Sequence, residues 1–238
     1  MTSNFPLRWL GIIPVLYAGL LWPLLRAQGE SPVVSLQFRL LAWDAGIPEI
    51  IYKSGGKAVA LKIAAFSPTE EQKYTGSGEL DFFQYRELPE GRKLVKIGSA
   101  SLAPDVRQVL LLLFPQADAT YRVVPVVDDL GNFPRGKARL YNGTPYRLAI
   151  KVNQEVLQLE PGGISMTNGS ENRLALRIAY NNNGQWKKAG NNVFEVGESM
   201  RQSLFFVSSE SEAFRGSSYP IQVITLPDRD LPEDPPPR

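Results

Sequence analysis

The chain of 238 residues has no cysteine and no histidine. Without cysteine it can form no disulfide, no thiolate metal site and no cysteine nucleophile. Without histidine it lacks the commonest general base and the commonest zinc ligand. Only oxygen ligands remain for a metal, and those favour calcium or magnesium. No cofactor site and no catalytic residue is expected. No dense basic run occurs, so nothing supplies the face a nucleic-acid partner would need to displace counterions. Amphipathic runs of helical period are missing too, which leaves little room for helix.

The first 27 residues, in contrast, are rich in apolar side chains. Arg8 precedes an apolar stretch, Trp9 to Leu25, and Leu25-Arg26-Ala27 offers a small residue for cleavage before Gln28. This order predicts a signal peptide over residues 1–27 and an exported protein, periplasmic or secreted. The alternative is an uncleaved inner-membrane anchor. The 17 residues of the stretch sit at the short limit for crossing a bilayer, and Pro14 and Pro23 interrupt a helix. The segment holds Arg8 and Arg26 and no acid, so its removal turns 26 basic and 24 acidic residues into equal numbers. An exported protein without disulfides must be held by its cores, which suits a bacterial envelope.

From Val33 onward the pattern has period two. Leu36, Phe38 and Leu40 alternate with Gln37 and Arg39. Leu148, Ile150 and Val152 alternate with Arg147 and Lys151, and Leu174, Leu176, Ile178 and Tyr180 share a face opposite Arg173 and Arg177. Such alternation marks strands with one buried and one wet face. The run Val109 to Phe114 does not alternate and reads as a strand buried on both faces, placed where two domains meet. Ser54-Gly55-Gly56, Gly76-Ser77-Gly78, Pro89-Glu90-Gly91, Pro161-Gly162-Gly163 and the turn ending at Gly184 punctuate the strands. Many short strands with regular turns predict an all-β fold: two immunoglobulin-like β-sandwich domains after the signal segment. The expected bounds are 33–115 and 119–226, divided at the polar break Pro115 to Thr120, with a disordered Pro-rich tail over 227–238. One continuous sandwich is the alternative. A faint internal echo, Phe38 to Ile63 against Ala138 to Leu159, repeats the order strand, proline-bearing loop, strand, turn, strand.

The stretch Arg139 to Gly163, "RLYNGTPYRLAIKVNQEVLQLEPGG", reads as a hairpin with Leu148, Ile150 and Val152 inward, facing Val156 or Leu157 and Leu159. On this stretch the chain resembles uncharacterised secreted bacterial proteins made of immunoglobulin-like β-sandwiches. The Cys–Trp–Cys framework of true immunoglobulin domains is missing, and the resemblance implies no functional residue.

Few constellations carry chemistry. Asp128, Asp129 and Asn132 offer three oxygen-bearing side chains, but their spacing is not that of a calcium loop and a polar turn is the expected reading. Asn142-Gly143-Thr144 matches a glycosylation pattern and is read instead as an Asn-Gly turn. Trp186 and Tyr180, near the Asn-rich turn, are the candidate ligand-binding residues, since an exposed tryptophan on a sandwich can stack on a sugar ring. The expected function is a non-catalytic binding or assembly module whose partner is an envelope or extracellular protein or polysaccharide. A carbohydrate-binding module and a histidine-free hydrolase using a carboxylate pair are the alternatives.

Overall fold

A computed structural model describes residues 33–169, 173–211 and 214–228. The signal segment expected over residues 1–27 lies outside them, as do residues 229–238 of the expected tail. No helix among the described residues is long and apolar enough to cross a membrane.

Among the described residues sixteen strands form four sheets of four. The first half of the chain supplies β1 (Val34–Ala42), β2 (Ile47–Ser54), β3 (Lys57–Ile63), β4 (Gln72–Gly76), β5 (Glu79–Leu88), β6 (Gly91–Ser101), β7 (Gln108–Pro115) and β8 (Tyr121–Val127). The second supplies β9 (Lys137–Asn142), β10 (Leu148–Val152), β11 (Glu155–Leu159), β12 (Ile164–Asn168), β13 (Arg173–Asn182), β14 (Gln185–Glu195), β15 (Arg201–Ser208) and β16 (Ile221–Asp228). In the first sandwich, sheet β4-β1-β7-β8 packs on sheet β3-β2-β5-β6 around Phe38, Leu40, Tyr52, Phe82 and Leu111. In the second, sheet β12-β9-β15-β16 packs on sheet β11-β10-β13-β14 around Leu140, Ile150, Leu176, Leu204 and Phe206.

The two strand orders are the same once eight is added to each number, so the echo in the sequence is a duplicated topology. In both halves the first strand pairs parallel with the seventh, β1 with β7 and β9 with β15. The registers fix equivalent positions. Leu40 lies opposite Leu111 as Leu140 lies opposite Leu204. The Trp43 amide donates to Leu113 as the Gly143 amide donates to Phe206. Arg39 and Arg139 are therefore equivalent, as are Trp43 and Gly143, and Asp128 and Asp228.

The halves meet through these equivalent faces. A third core holds Leu41, Trp43, Leu110, Leu112 and Val126 from the first half and Tyr141, Phe205 and Val207 from the second. This explains the unbroken apolar run of β7. Val109, Leu111 and Leu113 enter the first core, while Leu110 and Leu112 face the other sandwich. β15 is buried along its whole length for the same reason.

The link between sandwiches differs from the expected division at Pro115 to Thr120. β8 is hydrogen-bonded to β7 from Pro115–Tyr121 to Val109–Val127 and completes the first sandwich. The polar break is the turn of that hairpin, where the Asp118 carboxylate accepts the Thr120 amide at 3.0 Å. Residues 128–136 make the connection. At the other end Pro227 and Asp228 close β16 in pairs with Gln202 and Arg201, so ordered strand extends two residues past the expected bound.

In the hairpin β10–β11, Leu148 faces Leu159, Ile150 faces Leu157 and Lys151 faces Val156. Leu148, Ile150 and Val152 are buried, whereas Val156 is 59% exposed on the opposite face. Ile150→Ala should cost about 2–5 kcal/mol through lost transfer energy and a residual cavity. Lys151→Ala should leave stability nearly unchanged. Thermal melts of the two variants check this; the reverse outcome would mean the strand is out by one residue.

Candidate functional site

Buried polar side chains gather at the junction of the sandwiches. Arg39 donates to Asp128 at 2.6 Å and to Asp228 at 3.4 Å. Arg201 donates through Nε and one terminal nitrogen to Asp228 at 3.1 and 2.9 Å, and through the other to the carbonyls of Asp128 and Phe133 at 2.8 and 3.1 Å. Arg139 lies 3.7 Å from Asp128, and the guanidiniums of Arg139 and Arg201 sit 4.0 and 4.9 Å from the centre of the Phe133 ring. Burial pushes the neighbouring Tyr141 phenol above its usual range. Both carboxylates of this cluster are committed to guanidinium partners from the other strands. The cluster joins β1, β9, β15 and β16 and serves the packing of the halves.

The two acids of the expected polar turn diverge. Asp128 enters the arginine cluster, whereas Asp129 accepts the Asn132 amide at 2.9 Å and its side-chain amide at 3.0 Å. Burial opposes ionisation of Asp129, but these hydrogen bonds outweigh it and hold the group below its usual range. Asn142 is buried, and its side chain donates to the carbonyls of Tyr146, Leu159 and Glu160 and accepts from Thr144. This is a turn that ties β9 to the hairpin after it, in a place no glycan could reach.

The outer face of sheet β11-β10-β13-β14 has a different character. Cross-strand register sets its rows. Val156, Lys151, Arg177 and Asn191 lie side by side, and Gln158, Ala149, Ala179 and Lys188 form the next row. Glu160, Arg147, Asn181 and Trp186 follow, with Arg147 paired to Glu160 at 2.8 Å. Ala149 and Ala179 leave the middle low, giving a depression of about 500 Å³. Lys151, Arg177 and Lys188 line it without an ion-pair partner among the described residues. Val193, Val156 and Trp186 are exposed around it at 67%, 59% and 46%.

Trp186 reaches this face through a bulge. Gly190 faces Ile178 and Lys188 faces Ala179, so Ala189 is the extra residue of β14 and packs into the core. The bulge reverses the alternation, turning Lys188 and Trp186 outward. Tyr180 points the other way. It packs against the second core and against Tyr146, with ring centres 5.2 Å apart. The two aromatic residues singled out in the sequence thus lie on opposite faces of one sheet, because neighbouring residues of a strand alternate. Trp43 is buried at the junction.

No family model matches the chain. No curated protein matches it either. Among solved structures it is similar to the Bacillus anthracis TIE protein, over 82% of this chain and 43% of that one, with 10% identity and a TM-score of 0.19. The chain thus spans less than half of that protein's length, and a likeness so distant bears on neither fold nor function.

Proposed function

We propose that the chain is an exported, non-catalytic binding or assembly module, of the kind its resemblance to secreted immunoglobulin-like sandwich proteins implies. One observation carries this reading. The buried charges are engaged with one another at the junction, while the outer face of β11-β10-β13-β14 carries three cations without an ion-pair partner among the described residues and exposes Val193, Val156 and Trp186. Exposed groups of both kinds, gathered on one face, are what a binding surface offers. The partner belongs to the envelope or the extracellular space.

The test is co-sedimentation of the purified protein with an insoluble envelope fraction. The protein should sediment with it, and Lys151→Glu/Arg177→Glu should stay in solution while melting as the parent does. Retention of that double variant at the parent's level would overturn the assignment of the face.

A further inference from the structure

Resting on the reading of this face as a binding surface, we infer that its ligand is an anionic polysaccharide. Lys151 and Arg177 are direct cross-strand neighbours on the same face. Like charges placed opposite one another destabilise a sheet. Arg147 is neutralised by Glu160 at 2.8 Å. Lys151 and Arg177 are not, and Lys188 adds a third charge in the adjoining row. The 26 basic and 24 acidic residues of the chain nearly cancel, so this accumulation is local. An anion seated across Lys151, Arg177 and Lys188 removes the repulsion.

The surroundings select a sugar polymer among anions. Trp186 stands one row beyond Lys188 on the same strand and face, at the i, i+2 spacing of about 7 Å. Its exposed ring offers a flat apolar surface beside the charges, which suits the C–H face of a sugar ring. The Asn191 amide lines the depression and suits hydroxyl groups. Ala149 and Ala179 let a ligand approach the sheet closely. The depression is open and runs across the strands, as an extended chain requires. Double-stranded DNA presents about one charge per 1.7 Å of its axis, a density that three cations match poorly.

The shared chemistry is a ring polymer carrying carboxylate or sulfate groups. Affinity electrophoresis separates the sources, with polygalacturonate, dextran sulfate, neutral dextran or single-stranded poly-dT cast in the gel. The protein should be retarded by one or both anionic glycans and not by dextran. Retardation by polygalacturonate alone assigns carboxylate, and by dextran sulfate alone assigns sulfate. Lys151→Glu/Arg177→Glu should weaken binding at least about tenfold with an unchanged melt, given the attraction lost and repulsion gained. Trp186→Ala should weaken it about three- to tenfold, the value of one aromatic contact. Equal retardation of the double variant, tighter retardation by poly-dT, or indifference to Trp186→Ala would overturn the inference. Sedimentation with the envelope that depends on Lys151 and Arg177, with no retardation by either glycan, would sink the polysaccharide and leave the binding surface standing.

Discussion

Gly143→Ala should unfold the junction between the sandwiches. A Cβ built at Gly143 falls 1.7 Å from Cζ2 of Trp43 and 2.4 Å from Cε2, far inside any contact distance. Neither side can yield. The Gly143 amide donates to the Phe206 carbonyl at 3.0 Å, which holds the backbone. The indole is packed among Phe66, Phe114 and Phe205, with ring centres at 5.5, 4.9 and 5.4 Å. The expected loss is at least about 3 kcal/mol, or failure to accumulate as soluble protein. Glycine is required here for close approach, the large partner sitting at the equivalent position of the other repeat. Trp43→Leu in the Gly143→Ala background should therefore recover part of the loss, and a double-mutant cycle by chemical denaturation measures the coupling. A Gly143→Ala protein that melts with the parent would refute the packing of the two halves.

Arg201→Ala should cost about 3–5 kcal/mol, because it leaves the buried groups it served without a partner. Its guanidinium supplies hydrogen bonds to Asp228 and to the carbonyls of Asp128 and Phe133. Arg201→Lys should recover only a fraction, since a single ammonium cannot reach all three acceptors in a planar fork. Asp228→Ala in the Arg201→Ala background should cost less than the sum of the two changes, as the acid then no longer lacks its partner. Urea denaturation reads all three. A loss below about 1 kcal/mol for Arg201→Ala would put the pair among solvent-screened bridges and remove its role in the junction.

Much of this fold was legible in the sequence, for an identifiable reason. Alternation at Leu148, Ile150 and Val152 reports burial on one face, and the broken alternation of β7 reports burial on both. β15 escaped notice because its first residues, Arg201, Gln202 and Ser203, are polar yet buried, a combination that periodicity cannot recognise. A proline and a polar break look alike at a hairpin turn and at a linker, so Pro115 to Thr120 reads as a boundary although it lies within the β7–β8 hairpin. The candidate surface was half legible. Trp186 stood beside polar residues at a turn, but its face depended on one extra residue, Ala189, which reverses the alternation without any sequence mark. The arginine cluster joins residues up to 189 positions apart, a separation at which no local pattern speaks.

Some charged residues hold the halves together, and others meet a partner. Envelope co-sedimentation at a temperature below every melt tests that division most directly, with Arg201→Ala and Lys151→Glu/Arg177→Glu run beside the parent. Arg201→Ala, though less stable, should sediment as the parent does, and the double variant, though as stable as the parent, should stay in solution. Retention of the double variant together with loss of the folded Arg201→Ala protein would contradict it, and would place the binding site at the junction instead of the outer face.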